Sequence, residues 1–568
     1  MSKHLGLPKH SETDRGTSSA GDTTMSTIVK SAPGEGLYCR LGPGPGEAHT
    51  LRYDLAGQIS GERWTERGRN LAKLIHITDF QIADLASPSR VEFLQRLTAV
   101  PQWRRMLPAY RPQEFMLLQA VEAVVRTVRR ETEEDDVDFI VTTGDNTDSA
   151  QENELNTYLA LMNGGEVDPG QGNAGLSHTV TTSGDPAYWN PEPGTSDSWK
   201  NSGFPDYPGA VAAAAQKFTG MGLGAPWLTC FGNHDCLVQG RAQAPAGYND
   251  FLTGDRKPID RPDEPYGGTD ALSDYVTDPL WVSQGPTMSI EPVPERRMVS
   301  KTEYVQRHFA TGGVPAGHGF TEENVRQGTA YYAYDSVPGL RVIGLDTTNP
   351  AGHVDGCIDE EQYRWLEDRL QEVHSAYQGA NGRDVETGNE DRLVVLCSHH
   401  GLSTLTNGTP QREGQQLFLA PEVESLLHRY PNVVLWLSGH THVNRITPRL
   451  RAGGGGFWEV STSSVAEWPV QLRTVQFTLV ENAGVRIRTT MVDSAVPVTP
   501  TGGTSLEDLA SLHREAAAND PGSVGGLNAQ GSAGDRNADL LVPLSASALS
   551  RLATRVEAFE PASGTRSS

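Results

Sequence analysis

Five short apolar runs in this chain each stop on a residue able to bind a metal. Residues 71–78 run into Asp79, 137–143 into Gly144-Asp145, 226–231 into Gly232-Asn233, 393–397 into Ser398-His399, and 433–437 into Gly439-His440-Thr441-His442. Apolar runs this short, bounded by turn residues, predict buried strands. Residues 113–130 lie between the first two, with Phe115, Leu118, Val121, Val124, Val125 and Val128 at helical spacing. Strand, helix, strand is a βαβ unit, and its right-handed crossover makes the two strands parallel. A further strand is predicted at 340–345, ending on Asp346, with helices at 360–374 and 421–428. Residues 456–461, 474–480 and 485–490 alternate as antiparallel strands would. The predicted class is α/β.

Parallel strands deliver their carboxyl ends to one edge of a sheet, where open α/β folds bind ligands. Asp79, Asp145, Asn233, His399 and His440 are therefore expected to converge although they are far apart in sequence. One Asp or His at a strand end is ordinarily a turn or cap residue, and Asp346 is read that way. Five sets together imply a site. Hydrolysing a phosphate ester needs an oxygen nucleophile at neutral pH and relief of charge on the attacking and leaving oxygens. Two divalent ions roughly 3.5–4 Å apart meet both needs, with a carboxylate bridging them. A set of Asp, Asn, Gln and His side chains suits Mn, Fe or Zn, and differs from a structural thiolate site. No Gly-x-Ser-x-Gly elbow is present, which removes the usual serine-hydrolase alternative.

The length of 568 residues, with 60 glycines and 36 prolines, predicts one large domain with long excursions. Residues 1–68 are expected as a flexible N-terminal arm, 69–496 as the catalytic domain, and 497–568 as a partly disordered C-terminal extension. In that extension 506–517 is helical and 539–552 packs back on the body. Two polar, Gly- and Pro-rich insertions interrupt the domain at about 164–205 and 238–335, and the second is expected to be a lid. The net charge of −24 and the lack of a long Lys/Arg run argue against a nucleic-acid partner. Cys39, Cys230, Cys236, Cys357 and Cys397 are irregularly spaced and read as free thiols. No run reaches membrane-spanning length and the N-terminus lacks a signal-peptide pattern, so no membrane partner and a cytoplasmic location are expected.

Asp79-Phe80-Gln81, Gly144-Asp145-Asn146-Thr147-Asp148, Gly232-Asn233-His234-Asp235, Ser398-His399-His400 and Gly439-His440-Thr441-His442 resemble, in this order, the signature blocks of the calcineurin-like metallophosphoesterase superfamily. The resemblance covers about 71–492 and implies a four-layer α/β/β/α sandwich. It implies that Asp79, Gln81 and His442 hold one metal, that Asn233, His399 and His440 hold the other, and that Asp145 bridges them. It further implies that a hydroxide bridging the metals attacks phosphorus in line, with His234 as general acid or phosphate clamp and Asp235 orienting its imidazole. His400 adjoins a ligand and either meets substrate or packs. Gln81 stands where most members carry His, and some relatives resembling manganese-dependent ADP-ribose/CDP-alcohol pyrophosphatases share it. A carboxamide oxygen is a harder ligand than imidazole, which points the first site toward Mn or Fe(II), with Zn also possible, and toward diester or pyrophosphate substrates. The expected activity is hydrolysis of a phosphomonoester, phosphodiester or pyrophosphate bond in a small phosphorylated substrate. The alternative is a catalytically weak or inactive metal-binding scaffold that takes a partner protein on its long loops.

Overall fold

The computed structural model describes residues 29–30, 37–44, 46–56, 64, 68–173, 175–263 and 270–559. The βαβ unit forms as expected, and two sheets grow around it. In chain order the elements that build the site are β1 (Thr50–Arg52), β2 (Gly68–Ile77), α1 (Leu117–Glu134), β3 (Phe139–Thr142), α2 (Glu152–Asn163) and β4 (Trp227–Thr229). They continue with β5 (Tyr332–Tyr334), β6 (Leu340–Gly344), α3 (Glu360–Gln371), β7 (Leu393–Cys397), α4 (Ala420–Leu427), β8 (Val433–Ser438), β9 (Arg445–Leu450) and β10 (Gly456–Ser461). The last are β11 (Gln471–Val480), β12 (Gly484–Asp493), α5 (Leu506–Asn519) and β13 (Ala538–Pro543).

A seven-stranded sheet has the order β1-β13-β12-β11-β2-β3-β4, and a six-stranded sheet the order β5-β6-β7-β8-β10-β9. Within the first, β2, β3 and β4 are parallel, with Ile75 opposite Ile140 and Val141 opposite Leu228. Within the second, β6, β7 and β8 are parallel. The period-two alternation of β7 divides its side chains between two cores. Leu393, Val395 and Cys397 join Leu74, Val141, Leu228 and Val475 of the larger sheet in one core. Val394 and Leu396 face Leu366 and Leu370 of α3 and Val423 and Leu427 of α4 in another. Each such buried side chain contributes about 1.5–3 kcal/mol relative to exposure, so a one-residue register slip in β7 would exchange the two faces and lose both cores.

Three expectations change. The strand at 456–461 is antiparallel only to β9, which the sequence pattern had not revealed; it runs parallel to β8. The hairpin return after β9 inserts β10 between β9 and β8, a placement that local alternation does not encode. The N-terminal arm is not loose where it is described, and the C-terminal extension carries its expected helix and packs back on the body. Ala538–Pro543 and Thr50–Arg52 are neighbouring strands of the larger sheet, and Leu509, Leu512 and Ala516 of α5 pack with Trp189 of the first insertion and Tyr207 just beyond it. Residues 1–28 and 560–568, where the arm and the disordered tail were expected, lie outside the described residues.

The second insertion is not structureless where it is described. It carries short helices at Tyr248–Leu252, Ala271–Thr277, Lys301–Ala310 and Glu322–Gln327. Its Tyr248, Tyr275 and Trp281 bury with Phe93 and Trp103 in a satellite core. Aromatic anchors at irregular spacing leave no periodic signal, yet they bury large areas. Buried ion pairs fasten it to the body: Arg296 to Asp84 at 2.7 Å, and Lys257 to Glu92 at 3.1 Å. Removing one partner would strand a buried charge, at a cost of about 3–5 kcal/mol. The described part of the insertion is packed against the body. Among the described residues, no helix is long and apolar enough to cross a membrane.

Candidate metal centre

The loops that follow β2, β3, β4, β7 and β8 meet at one edge, and their backbones are tied together before any side chain is considered. Asp79 N donates to Gly144 O at 3.2 Å, Gln81 N to Asp145 O at 2.8 Å, and Gly439 N to His399 O at 3.0 Å. Asp79, Gln81, Asp145, His440 and His442 all have left-handed backbone, with φ between 43° and 66°. A side chain in that region costs of order 1–3 kcal/mol and persists only where surroundings hold it. The motif glycines have a matching reason. A Cβ on Gly232 would lie 2.2 Å from Asp145 Oδ1, and one on Gly439 would lie 2.3 Å from Asp79 Oδ2.

The side chains then converge. Asp145 Oδ2 lies 3.1 Å from His399 Nε2, and Asp79 Oδ1 lies 3.2 Å from His442 Nε2. His399 Nε2 and His440 Nδ1 are 3.2 Å apart. Ligand atoms of Asp79, Asp145 and His399 lie within 4.8 Å of one another. His399 Nδ1 points at Thr143 O, 2.9 Å away, so a neutral ring donates there and turns the Nε2 lone pair inward. Asn233 Nδ2 donates to Gly240 O at 3.0 Å, which turns its Oδ1 into the cluster, where this buried oxygen has no hydrogen-bond partner.

Charge confirms the pattern. Burial works against ionisation here, yet the Asp145 carboxylate raises the His399 imidazole to about 9. Against the same burial penalty, Glu467 and Asp79 raise His442 to about 10. Asp79 and Asp145, despite burial, are held below the ordinary carboxylate range by these histidines. Buried carboxylates that pull protons onto imidazoles mark a negative field, which a divalent cation neutralises with less crowding. An orphaned amide oxygen, inward imidazole nitrogens and two carboxylates fit a metal centre.

Not every expected role is met. Asp235 does not orient His234: its carboxylate accepts from Gly232 N, Asn146 N, Thr147 N and Thr147 Oγ1 at 2.9–3.3 Å. Its chain position puts it on the inner side of the loop, where it clamps two strand-end turns. Burial and the Asp145 charge raise it to about 7. His234 Nδ1 instead lies 2.7 Å from Asp148 O, with Asp148 Oδ1 at 3.8 Å. Gln81 presents its Oε1 to Arg111 Nη2 at 2.7 Å, and its Nε2 lies 3.4 Å from His442 Nε2. A guanidinium only donates, so the amide oxygen must face Arg111 and the amide nitrogen faces the cluster. His400 packs: its nitrogens lie 3.0 Å from Thr347 Oγ1 and 2.8 Å from Val354 O. Asp346 accepts from Thr348 N and Thr348 Oγ1 and pairs with Lys301, as a turn residue does.

Sequence reading missed Glu467, Arg111 and Arg241. Glu467 is fully buried, 2.7 Å from Arg111 Nε and 3.2 Å from His442 Nδ1, the latter an ion pair outside hydrogen-bond alignment. Its one sequence signal is a lone acid inside the apolar stretch Val465-Ala466-Glu467-Trp468. The arginines sit in loops without a motif. Over the centre lies a cavity of about 240 Å³, lined by Gln81, Arg111, His234, Gln239, Arg241 and Val524 among others.

A family model for calcineurin-like phosphoesterases matches residues 72–444, and the chain belongs to this family. No curated protein matches it. Among solved structures, a dimetal phosphatase from Danio rerio is similar at 13% identity and TM-score 0.30, covering 75% of this chain and 98% of that one. GAP50, the anchor in the inner membrane complex of Plasmodium, is similar at 11% identity and TM-score 0.29, covering 88% and 100%. The NAD nucleotidase of Haemophilus influenzae stands at 10% identity and TM-score 0.27, covering 74% and 50%. Scores this low carry no argument about activity.

Proposed function

We propose that this chain is a dinuclear metallophosphoesterase that hydrolyses a phosphomonoester, phosphodiester or pyrophosphate bond in a small phosphorylated substrate. The observation that carries the reading is the inward convergence of Asp145, His399 Nε2, His440 Nδ1 and the unpartnered Asn233 Oδ1. Asn233, His399 and His440 would hold one ion, Asp79 and His442 the other, and Asp145 would lie between them. Oxygen donors on the Asp79 side favour Mn or Fe(II), with Zn also compatible with the imidazoles. Such a pair supplies a nucleophile at neutral pH and relieves charge on the phosphoryl oxygens.

The chain's own residues do the rest. With Nδ1–H donated to Asp148 O, His234 keeps Nε2 for the substrate, where the protonated ring would give its proton to the leaving oxygen or donate a hydrogen bond to the phosphoryl group. Asp148 is itself fixed by Arg90 at 2.9 Å and by Gln239. Glu467 holds the imidazole of His442 from behind.

The test is metal-free protein reloaded with Mn, Fe(II) or Zn, with content measured by mass spectrometry. It is assayed on 4-nitrophenyl phosphate, bis(4-nitrophenyl) phosphate and pyrophosphate. The expected result is two ions per chain and turnover of at least one substrate that Asp145→Asn abolishes. Full metal content with no turnover on all three would replace the enzyme with the scaffold reading.

A further inference from the structure

Three guanidinium groups line the cavity, those of Arg90, Arg111 and Arg241. Arg90 is matched by Glu92, Glu114 and Asp148, and Arg111 by Glu467. Arg241 is different. Among the described residues no carboxylate lies within ion-pair distance of it, and the one hydrogen bond of its guanidinium runs from Nη1 to Gln239 O at 3.2 Å. It is half-buried and lines the cavity wall, and its charge acts on both His234 and Asp148. Its backbone is pinned: the amide donates to Val238 O at 2.9 Å and the carbonyl accepts from His353 N at 2.7 Å. The preceding Gly240 (φ 63°) packs so tightly on the site that a Cβ there would lie 2.2 Å from His234 Cδ2. The turn that carries Arg241 therefore has one position relative to His234. Folding has matched two arginines of this wall and left the third with its donors available, beside the residue that meets substrate.

We infer that Arg241 grips the non-bridging oxygens of a terminal phosphoryl group, so that the site selects monoesters or the terminal phosphate of a diphosphate over internal diesters. This rests on the phosphoesterase reading of the same cavity. A terminal phosphoryl group carries roughly −1.5 to −2 at neutral pH, whereas a diester carries a single charge. The guanidinium fork matches two such oxygens at once. After two metal ions have offset Asp79 and Asp145, the unmatched charge of Arg241 is what the second charge of the substrate balances. The residue lies at the start of the insertion, outside the signature blocks, and so sets selectivity on a shared metal core.

Arg241→Gln and Arg241→Lys in the metal-loaded full chain test this. The expected result for Arg241→Gln is a tenfold or greater loss in kcat/KM on 4-nitrophenyl phosphate, and a change under threefold on bis(4-nitrophenyl) phosphate. Calorimetric titration with inorganic phosphate should show tenfold weaker binding, with metal content and melting temperature unchanged. Arg241→Lys should fall between, since it keeps the charge and loses the fork; it also serves if the Gln variant does not fold. Equal losses on both ester types, or phosphate affinity that neither variant alters, would overturn the inference. Phosphate binding separates the two ideas. A wild-type chain that binds phosphate through Arg241 yet hydrolyses nothing loses the enzyme reading alone, whereas turnover indifferent to Arg241 loses this inference alone.

Discussion

The two halves of the candidate metal centre are held by different means. On the Asn233 side, main-chain carbonyls aim two of the three candidate ligands: Thr143 O for His399 and Gly240 O for Asn233. On the Asp79 side, buried charge does it: Glu467 stands behind His442, and Arg111 bridges Glu467 to Gln81. Carbonyls are fixed by the sheet edge and cost nothing to keep neutral. A buried charge network is strong when complete and fragile when one member goes. The first half is therefore preorganised by the fold, and the second depends on a few side chains, with the Gln81 oxygen turned away from the cluster.

The largest expected effect comes from the residue common to both halves. Asp145→Asn should lower kcat by about a thousandfold or more, since it removes the carboxylate that would lie between the two ions, and metal content should fall toward one ion or none. An active variant with two ions would erase the distinction between bridge and ligand. Next comes the carbonyl-held half. Gly240→Ala must move His234 and the Asn233 amide, and kcat should fall about a hundredfold, the range for misplacement near 1 Å; unchanged kcat would mean that this turn does not hold the ligands.

The charge-held half should respond in affinity. Glu467→Gln should weaken one of the two ions by about 10–100-fold, as loss of a partner behind a ligating His does, while the other ion titrates as in wild type. Gln81→Ala should cost less, within about fivefold in affinity for the same ion on the footing that an amide turned to Arg111 contributes little to it. A larger loss for Gln81→Ala than for Glu467→Gln would reverse the assignment.

The smallest effect contrasts histidines inside and outside the centre. His399 and His442 are raised by carboxylates, whereas burial lowers His374 to about 4 and His513 to about 3. His374 is locked neutral: Nδ1 faces Leu370 O at 2.5 Å, and Nε2 accepts from Asn432 N at 3.1 Å. A folded pKa below the unfolded value near 6.5 means that the unfolded chain binds more protons as pH falls. The stabilisation is complete above pH 6.5 and is lost on descent toward pH 4, by up to about 1.4 kcal/mol per pH unit for each group. Melting temperature should fall between pH 6.5 and 4.5, and less steeply in His374→Gln. Equal slopes would mean that His374 does not carry it.

Much of this was legible in the chain itself. The strands 71–78, 137–143, 393–397 and 433–437 and the helix 113–130 were visible because apolar periodicity is local. The seven candidate ligands were visible because each directly follows or nearly follows a strand. The helices and satellite core of 238–335 were hidden, because Tyr248, Tyr275 and Trp281 meet only in three dimensions. The same holds for β9 and β13, whose partners are set by topology.

By itself, then, the sequence determined the α/β class, the family and the set of residues at the strand ends, since strand length and ligand type are written residue by residue. Tertiary structure alone decided what stands behind each candidate ligand. It put Asp148 rather than Asp235 on His234, Glu467 behind His442, Arg111 on the Gln81 oxygen, and Arg241 unmatched at the cavity wall. These contacts join segments tens to hundreds of residues apart, and a hydrogen bond or ion pair depends on distance and direction in space, which no spacing along the chain records.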